Sequence, residues 1–425
     1  MAKLIVLDDP FVRDQLRLAP ARRSVLPWRP GAPSLSGPIE AKIRKCLKLF
    51  DKHQGLVCGC PPGDFVKPRE LLLLSLRILG HVLHLDKAVA AMECAVEDDW
   101  SAHTELKKKR RYRDHITHPV RVTAIGWWFL HRDRQRLLLK LASRYKRDTG
   151  DYVKRHGVKL LGFTWPEIVE DAWLACGLLH DSAYPLEHHF QRGRRLSRGF
   201  GNELAALSHY RHPIFVGAER RALLGPLEDC WLTSSNPGFE RRLKCLAARG
   251  CEHAHAVLSA LHYPLACRAS LHTLQGLIVQ LAARAIVSHH DEEDGQVLSD
   301  PLATLLAVAD RMQAWRRPLL HRATATGPMA GASFRTVVEC EKVALVREDG
   351  ALVARFFMTR DPEQREIMKR EYRWNFEHFS SGNRAVEDLI QGSGLLPRVV
   401  LSQRRCIEPR EFLDYMGKSP RVGAV

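Results

Sequence analysis

With 425 residues the chain exceeds the size that one hydrophobic core usually serves, so one large domain with smaller pieces attached is expected. An apolar fraction of 45% and a charged fraction of 27% are those of a globular protein. A formal net charge of +17 argues against a cationic partner and for an anionic one, a nucleotide or a nucleic acid before an acidic membrane surface, with a merely solvated basic surface as the competing reading.

Residues 1–38 are rich in Pro, Arg and Ser, as in Arg22-Arg23-Ser24-Val25-Leu26-Pro27-Trp28-Arg29-Pro30, and read as a flexible basic arm. No leader-like run opens the chain, and the eleven cysteines are odd in number and irregularly spaced, so reduced thiols and a cytoplasmic protein are expected. Cys58-Gly59-Cys60 has no second pair at zinc-site spacing and reads as a loop. From residue 39 the periodicity is helical, through Ile43, Cys46, Leu47 and Phe50 and then a buried helix at Leu71–Leu85. That run is too short to span a membrane and carries Arg77 and His81. The basic run Lys107-Lys108-Lys109-Arg110-Arg111-Tyr112-Arg113 is a solvated face or, as the minority reading, a phosphate-facing patch.

A helix opens near His118 with Val122, Ile125 and Phe129 as its apolar side, and His118 points toward that side. Alone, it would be a packed core histidine. Thr164 and Glu167 form a capping-box signal with Pro166 in the first turn. The helix that follows buries Ile168, Ala172, Ala175 and Leu179 and ends at His180-Asp181. Residues 182–201 then carry Tyr184-Pro185, His188-His189, Arg192, Arg194, Arg195 and Arg198 with three glycines, a basic loop suited to phosphate. Helical patterns return around Asn202, at Gly217–Leu227 and Phe239–Ala248, and from Gly250-Cys251-Glu252-His253 through Leu261. Leu271–Val287 is a long apolar helix ending at His289-His290, and Pro301 starts another with Leu302, Leu305, Leu306 and Ala309 on one side. Asp310 is set into that run and needs a charge or metal partner there. Past Gly331 the pattern alternates. Arg335–Val346 and Ala351–Met358 read as strands around Glu348-Asp349-Gly350, followed by helices at Gln364–Phe379 and Asn383–Gln391 and a strand at Arg398–Gln403.

The chain therefore divides into an arm (1–38), a helical domain (39–325, core about 100–320), a small α/β piece (330–416) and a tail (417–425). Imidazoles and carboxylates dispersed over helices, with no cysteine among them, suit a borderline divalent ion better than a closed structural zinc site.

In chain order, His118, His180-Asp181 and Asp310 follow a pattern of one histidine, a His-Asp doublet and a later aspartate. This resembles the HD-domain superfamily of metal-dependent phosphohydrolases. Arg113-Asp114-His115, Tyr184-Pro185-Leu186-Glu187, Asp300-Pro301-Leu302 and Asp310-Arg311-Met312-Gln313-Ala314-Trp315 are similar to a prokaryotic branch of it. The resemblance covers roughly residues 100–320 and implies a mainly α fold: an HD-type all-helical core with a small C-terminal α/β appendage. It implies His118, His180, Asp181 and Asp310 as metal ligands, with His253 and His289, or His290 in its place, supporting a second ion. One or two divalent ions (Mn, Fe, Co, Ni, Zn or Mg) are expected. One departure stands out: Ser182-Ala183 follow the doublet where the family often has Ile-Gly.

The expected reaction is cleavage of a phosphoester or phosphoanhydride bond in a nucleotide or nucleotide-derived substrate by a metal-activated water. Asp181 would be the bridging ligand if two ions are bound. His188 or His189 protonates the leaving oxygen, or is simply a solvated histidine, while Lys108, Arg110, Arg111, Arg192 and Arg194 hold phosphate. The alternative is a regulatory or nucleic-acid-binding protein on an HD core with little or no hydrolase activity.

Overall fold

The computed structural model describes residues 5–8, 10–16, 41, 44, 45, 48, 117–132, 135–183, 256–261, 272–289, 300–313, 318–322, 334–338, 340–348, 351–358 and 399–404. Among them the protein is mainly α. The principal elements are β1 (Ile5–Leu7), α1 (Thr117–His131), α2 (Arg136–Arg155), α3 (Trp165–Leu179), α4 (Leu274–Ser288), α5 (Pro301–Met312), β2 (Pro318–Arg322), β3 (Phe334–Val338), β4 (Cys340–Glu348), β5 (Ala351–Met358) and β6 (Val399–Arg404). Shorter helical segments lie at 10–16 and 256–261.

Helix α3 is apolar around most of its circumference, and such a helix must be enclosed. It packs against α1, α2 and α4, and more lightly against α5, and is buried without a break from Asp171 to Leu179. Its start is the one read from the sequence: Glu167 Oε2 accepts from the backbone N–H of Thr164 at 2.7 Å and from its hydroxyl at 2.8 Å. Two glycines bring α1 and α3 close. A Cβ on Gly126 would lie 1.8 Å from Trp173 Cζ2, and one on Gly177 would lie 2.6 Å from Thr123 Oγ1. The Trp173 indole N–H donates to Thr123 O at 3.0 Å, which holds the ring in the Gly126 notch.

Helix α2 lies in a stretch that the sequence reading passes over. Its stripe of Leu137, Leu138, Leu141, Tyr145, Thr149 and Tyr152 is buried and has helical spacing, so the signal is present. Helices α4 and α5 begin at Thr273 and Asp300, whose side chains accept from the backbone N–H groups of Gly276 (3.2 Å) and Ala303 (3.0 Å). The apolar run expected from Leu271 thus becomes helical at Leu274.

The arm assigned to residues 1–38 is not free at its beginning. Strand β1 pairs antiparallel with β4, Val6 opposite Ala344. Asp8 Oδ1 accepts from Phe11 N–H at 2.8 Å and starts the segment 10–16, whose Phe11 meets the Trp128 ring of α1 at 6.5 Å. Asp8-Asp9-Pro10 is a helix-start signal hidden by the Pro- and Arg-rich sequence after it. Leu7, Phe11, Val12 and Leu16 are buried in one core with the helices.

The small sheet has the order β1-β4-β5-β6. The β4–β5 hairpin ends at Glu348 opposite Ala351, leaving Asp349-Gly350 to connect the strands, and β6 runs parallel to β5. The single strand expected over Arg335–Val346 is two. Residues 334–338 pair with β2 in a separate two-stranded sheet, and the adjacent Val337 and Val338 already break the period of two. Strand β2 also ends the purely helical reading of residues 39–325, because Pro318–Arg322 pairs across the boundary drawn at 325–330. Val343, Leu345, Leu352 and Ala354 join the helical core, so the sheet is packed on it and is not merely appended. Of the helix expected near Ile43, residues 41, 44, 45 and 48 are helical. Those expected at 71–85, 202, 217–227, 239–248, 364–379 and 383–391 lie outside the described residues. Among the described residues no helix is long and apolar enough to cross a membrane.

Candidate metal centre

Four helix ends meet at one place. His118 is the second residue of α1, His180 and His289 are the C-caps of α3 and α4, and Asp310 lies in the last turn of α5. Three of these ends are C-termini, where unsatisfied carbonyls carry partial negative charge. Helix dipoles and carboxylates there favour a cation.

His118, His180 and Asp310 each offer one ligand atom, all within 4.8 Å of one another. His118 Nε2 lies 2.8 Å from Asp310 Oδ1. Asp181 places one oxygen toward each ring, Oδ2 at 3.6 Å from His118 Nε2 and Oδ1 at 3.4 Å from His180 Nε2. The two histidines are almost fully buried, and Asp310 is the more exposed carboxylate, its side chain 26% accessible against 7% for Asp181. Asp310 thus stands against His118 at a place where an ion shared with the cluster would give it the partner that its apolar run requires.

The outer nitrogens are tied in two ways. His180 Nδ1 donates to Gly177 O at 2.9 Å, and His289 Nδ1 donates to Ile286 O, each three residues back in its own helix. His118 Nδ1 instead meets a side chain of another helix, Oε1 of Gln313. The rings form a row, with centroids 5.4 Å apart from His118 to His180 and 5.6 Å from His180 to His289. Among the described residues His289 lies beside the His118–His180–Asp310 group without belonging to it. The exit from the doublet is anchored too: Ser182 N–H donates to Leu179 O at 3.1 Å and Ala183 N–H to Ser259 Oγ at 3.0 Å. Both bonds are backbone donations, which any residue but proline could make.

Donor chemistry and geometry fit a divalent ion. Two imidazoles and two carboxylates are a suitable set, and the thiol of α3, Cys176, is buried with its pKa raised by burial. His180 Nε2 is buried and makes no hydrogen bond. A buried polar atom left so is costly unless something else meets it.

A buried polar network, at the opposite end of α5 from Asp310, was missed by the sequence reading. Asp300 Oδ1 accepts from Tyr145 Oη at 2.8 Å, and Asp300 Oδ2 lies 3.2 Å from Arg284 Nε. The network joins α2, α4 and the start of α5. Burial raises the pKa of Asp300, against the lowering effect of Arg284.

The structure brings together His118, His180, Asp181, His289 and Asp310 of the expected residues. His253, His290, His188, His189, Lys108, Arg110, Arg111, Arg192 and Arg194 lie outside the described residues. Comparison of the chain with protein-family models, curated proteins and solved structures finds no match.

Proposed function

We propose that this protein is a metal-dependent phosphohydrolase of the HD type, acting on a phosphoester or phosphoanhydride bond of a nucleotide or nucleotide-derived substrate. The observation that carries the reading is the convergence of His118, His180 and Asp310 within 4.8 Å, from three helices, with Asp181 facing both rings. The order of these residues along the chain is the order of the HD pattern.

A divalent ion bound here would supply Lewis acidity toward phosphoryl oxygens and lower the pKa of a water. His118 and His180 hold their ring planes from outside the cluster, so their inner nitrogens need no rearrangement to bind. Asp181 faces both rings and would help to hold one ion, or two if two are bound. Asp310 is the more accessible carboxylate, and in this reading substrate would approach from its side. The segment after Ala183 leaves the doublet directly, and in this reading its His188 or His189 gives a proton to the leaving oxygen while Arg192 and Arg194, with Lys108, Arg110 and Arg111, hold phosphate. The net charge of +17 suits that anionic substrate, and it also favours the second reading, a nucleic-acid-binding protein on the same core.

Metal analysis of the purified protein beside a His180→Ala/Asp181→Ala variant, joined to a phosphate-release screen over nucleotides with Mn, Co and Ni, tests the proposal. Bound metal and phosphate release, both lost in the variant, are expected. A wild-type protein without transition metal, indistinguishable from a folded variant, overturns it. Salt-sensitive nucleic-acid binding that survives the substitutions supports the second reading instead.

A further inference from the structure

The two ring nitrogens of His118 are both addressed by the last turn of α5. Asp310 Oδ1 stands 2.8 Å from Nε2, and Gln313, three residues later and on the same face of the helix, reaches Nδ1 with Oε1. Gln313 is completely buried, and its backbone N–H is fastened to Ala309 O and Asp310 O, both at 3.1 Å. A buried amide fixed at its backbone is costly unless its polar atoms are used.

His180 and His289 obtain the same service locally, from carbonyls of their own helices, and a carbonyl can only accept. For His118, the second described residue of α1, the group that meets Nδ1 comes from another helix, Gln313 at the end of α5. An amide side chain can either accept through oxygen or donate through nitrogen, and the oxygen is the atom turned to Nδ1.

We propose that Gln313 is the positioning residue for His118: its amide oxygen keeps the proton on Nδ1, so that Nε2 offers its lone pair to the cluster with His180 and Asp310. This rests on the metal-centre reading above. It makes one helical turn supply both a ligand, Asp310, and the group that prepares the neighbouring ligand, so that displacing the end of α5 removes both together.

The test uses the full chain stripped of metal and titrated with Co(II), with affinity followed by calorimetry and the site by the visible Co(II) spectrum. Gln313→Met keeps length and removes the acceptor. Gln313→Glu keeps an acceptor and removes the donor. Gln313→Met is expected to weaken Co(II) about 10- to 100-fold, the usual cost of losing an outer partner of a ligating histidine. Gln313→Glu is expected to stay within about threefold of wild type, with an unchanged Co(II) spectrum, because it keeps the accepting oxygen. A Met variant that binds as wild type does, or Met and Glu variants weakened alike, overturns the proposal, since the second pattern means that Gln313 acts through packing. If Gln313→Met does not fold, nitrogen NMR of the Zn-loaded wild-type protein still decides. A proton on Nδ1 of His118 is expected, and one on Nε2 overturns the assignment. Loss of binding in His180→Ala/Asp181→Ala but not in Gln313→Met removes this inference alone, whereas a wild-type chain that takes up no Co(II) removes the metal reading itself.

Discussion

Asp300 serves two elements with one carboxyl group. Oδ1 caps α5 through Ala303 N–H and accepts from Tyr145, and the whole group is buried. Burial raises its pKa from the ordinary value of 3.8. The folded carboxyl therefore holds its proton more tightly than the unfolded one. Its contribution to stability is complete below the ordinary carboxyl range and is lost as pH rises through the raised value. Asp300→Asn keeps both oxygen-accepted bonds and removes the titration. The melting temperature of wild type relative to this variant should fall as pH is raised from about 4 to about 7, and a constant difference rejects the shift. At the metal centre, saturation with Co(II) at about 100 times its dissociation constant should stabilise the wild-type chain by about 2.7 kcal/mol and leave His180→Ala/Asp181→Ala unmoved, as thermal melts with and without the ion would show. His180-Asp181 and Asp310 are legible in the sequence because they end an apolar run or interrupt one, and His118 becomes legible only in their company, through the resemblance their order carries. Gln313 and the Tyr145–Asp300–Arg284 network are not legible in the same way. Their partners lie on other helices, and no spacing in the sequence encodes a hydrogen bond between helices.

Helices α1 and α3 approach each other at Gly126 and Gly177, and that approach sets His118 against His180. Gly126→Ala would place a methyl group on the Trp173 ring, whose indole is already held by Thr123 O. Gly177→Ala would meet Thr123 Oγ1 at 2.6 Å and its Cα at 3.1 Å. Overpacking of this kind costs about 1–3 kcal/mol. Gly126→Ala should be at the upper end of that range, because the ring it meets is buried and held through its indole N–H, and urea unfolding measures it. A Gly126→Ala variant with the wild-type midpoint would mean that the helices stand further apart. The helices around the centre are mostly readable from periodicity and caps, as Thr164 with Glu167 and Asp300 with Pro301 show. The division of Arg335–Val346 between two sheets is less so, because a single alternating run does not state which partner each half will take.

At the scale of the whole molecule, the first residues close the structure. Strand β1 adds an edge to β4, and Leu7, Phe11, Val12 and Leu16 enter the common core. Each fully buried side chain of this size contributes about 1.5–3 kcal/mol, an upper estimate since the unfolded chain already hides some surface. A chain lacking residues 1–16 should therefore lose several kcal/mol of stability and unfold at distinctly lower urea. An unchanged midpoint would return these residues to the status of a loose arm.

The sequence by itself determined the mainly α character, the apolar helix that ends in His180-Asp181, and the residue types from which a divalent site can be made. Periodicity, caps and side-chain chemistry are local properties, and local properties survive in a linear reading. Only the tertiary structure decided that β1 belongs to the C-terminal sheet, that Asp310 faces His118, and that the ends of α1, α3, α4 and α5 meet. Those facts depend on which helix faces which, and packing of the whole core settles that.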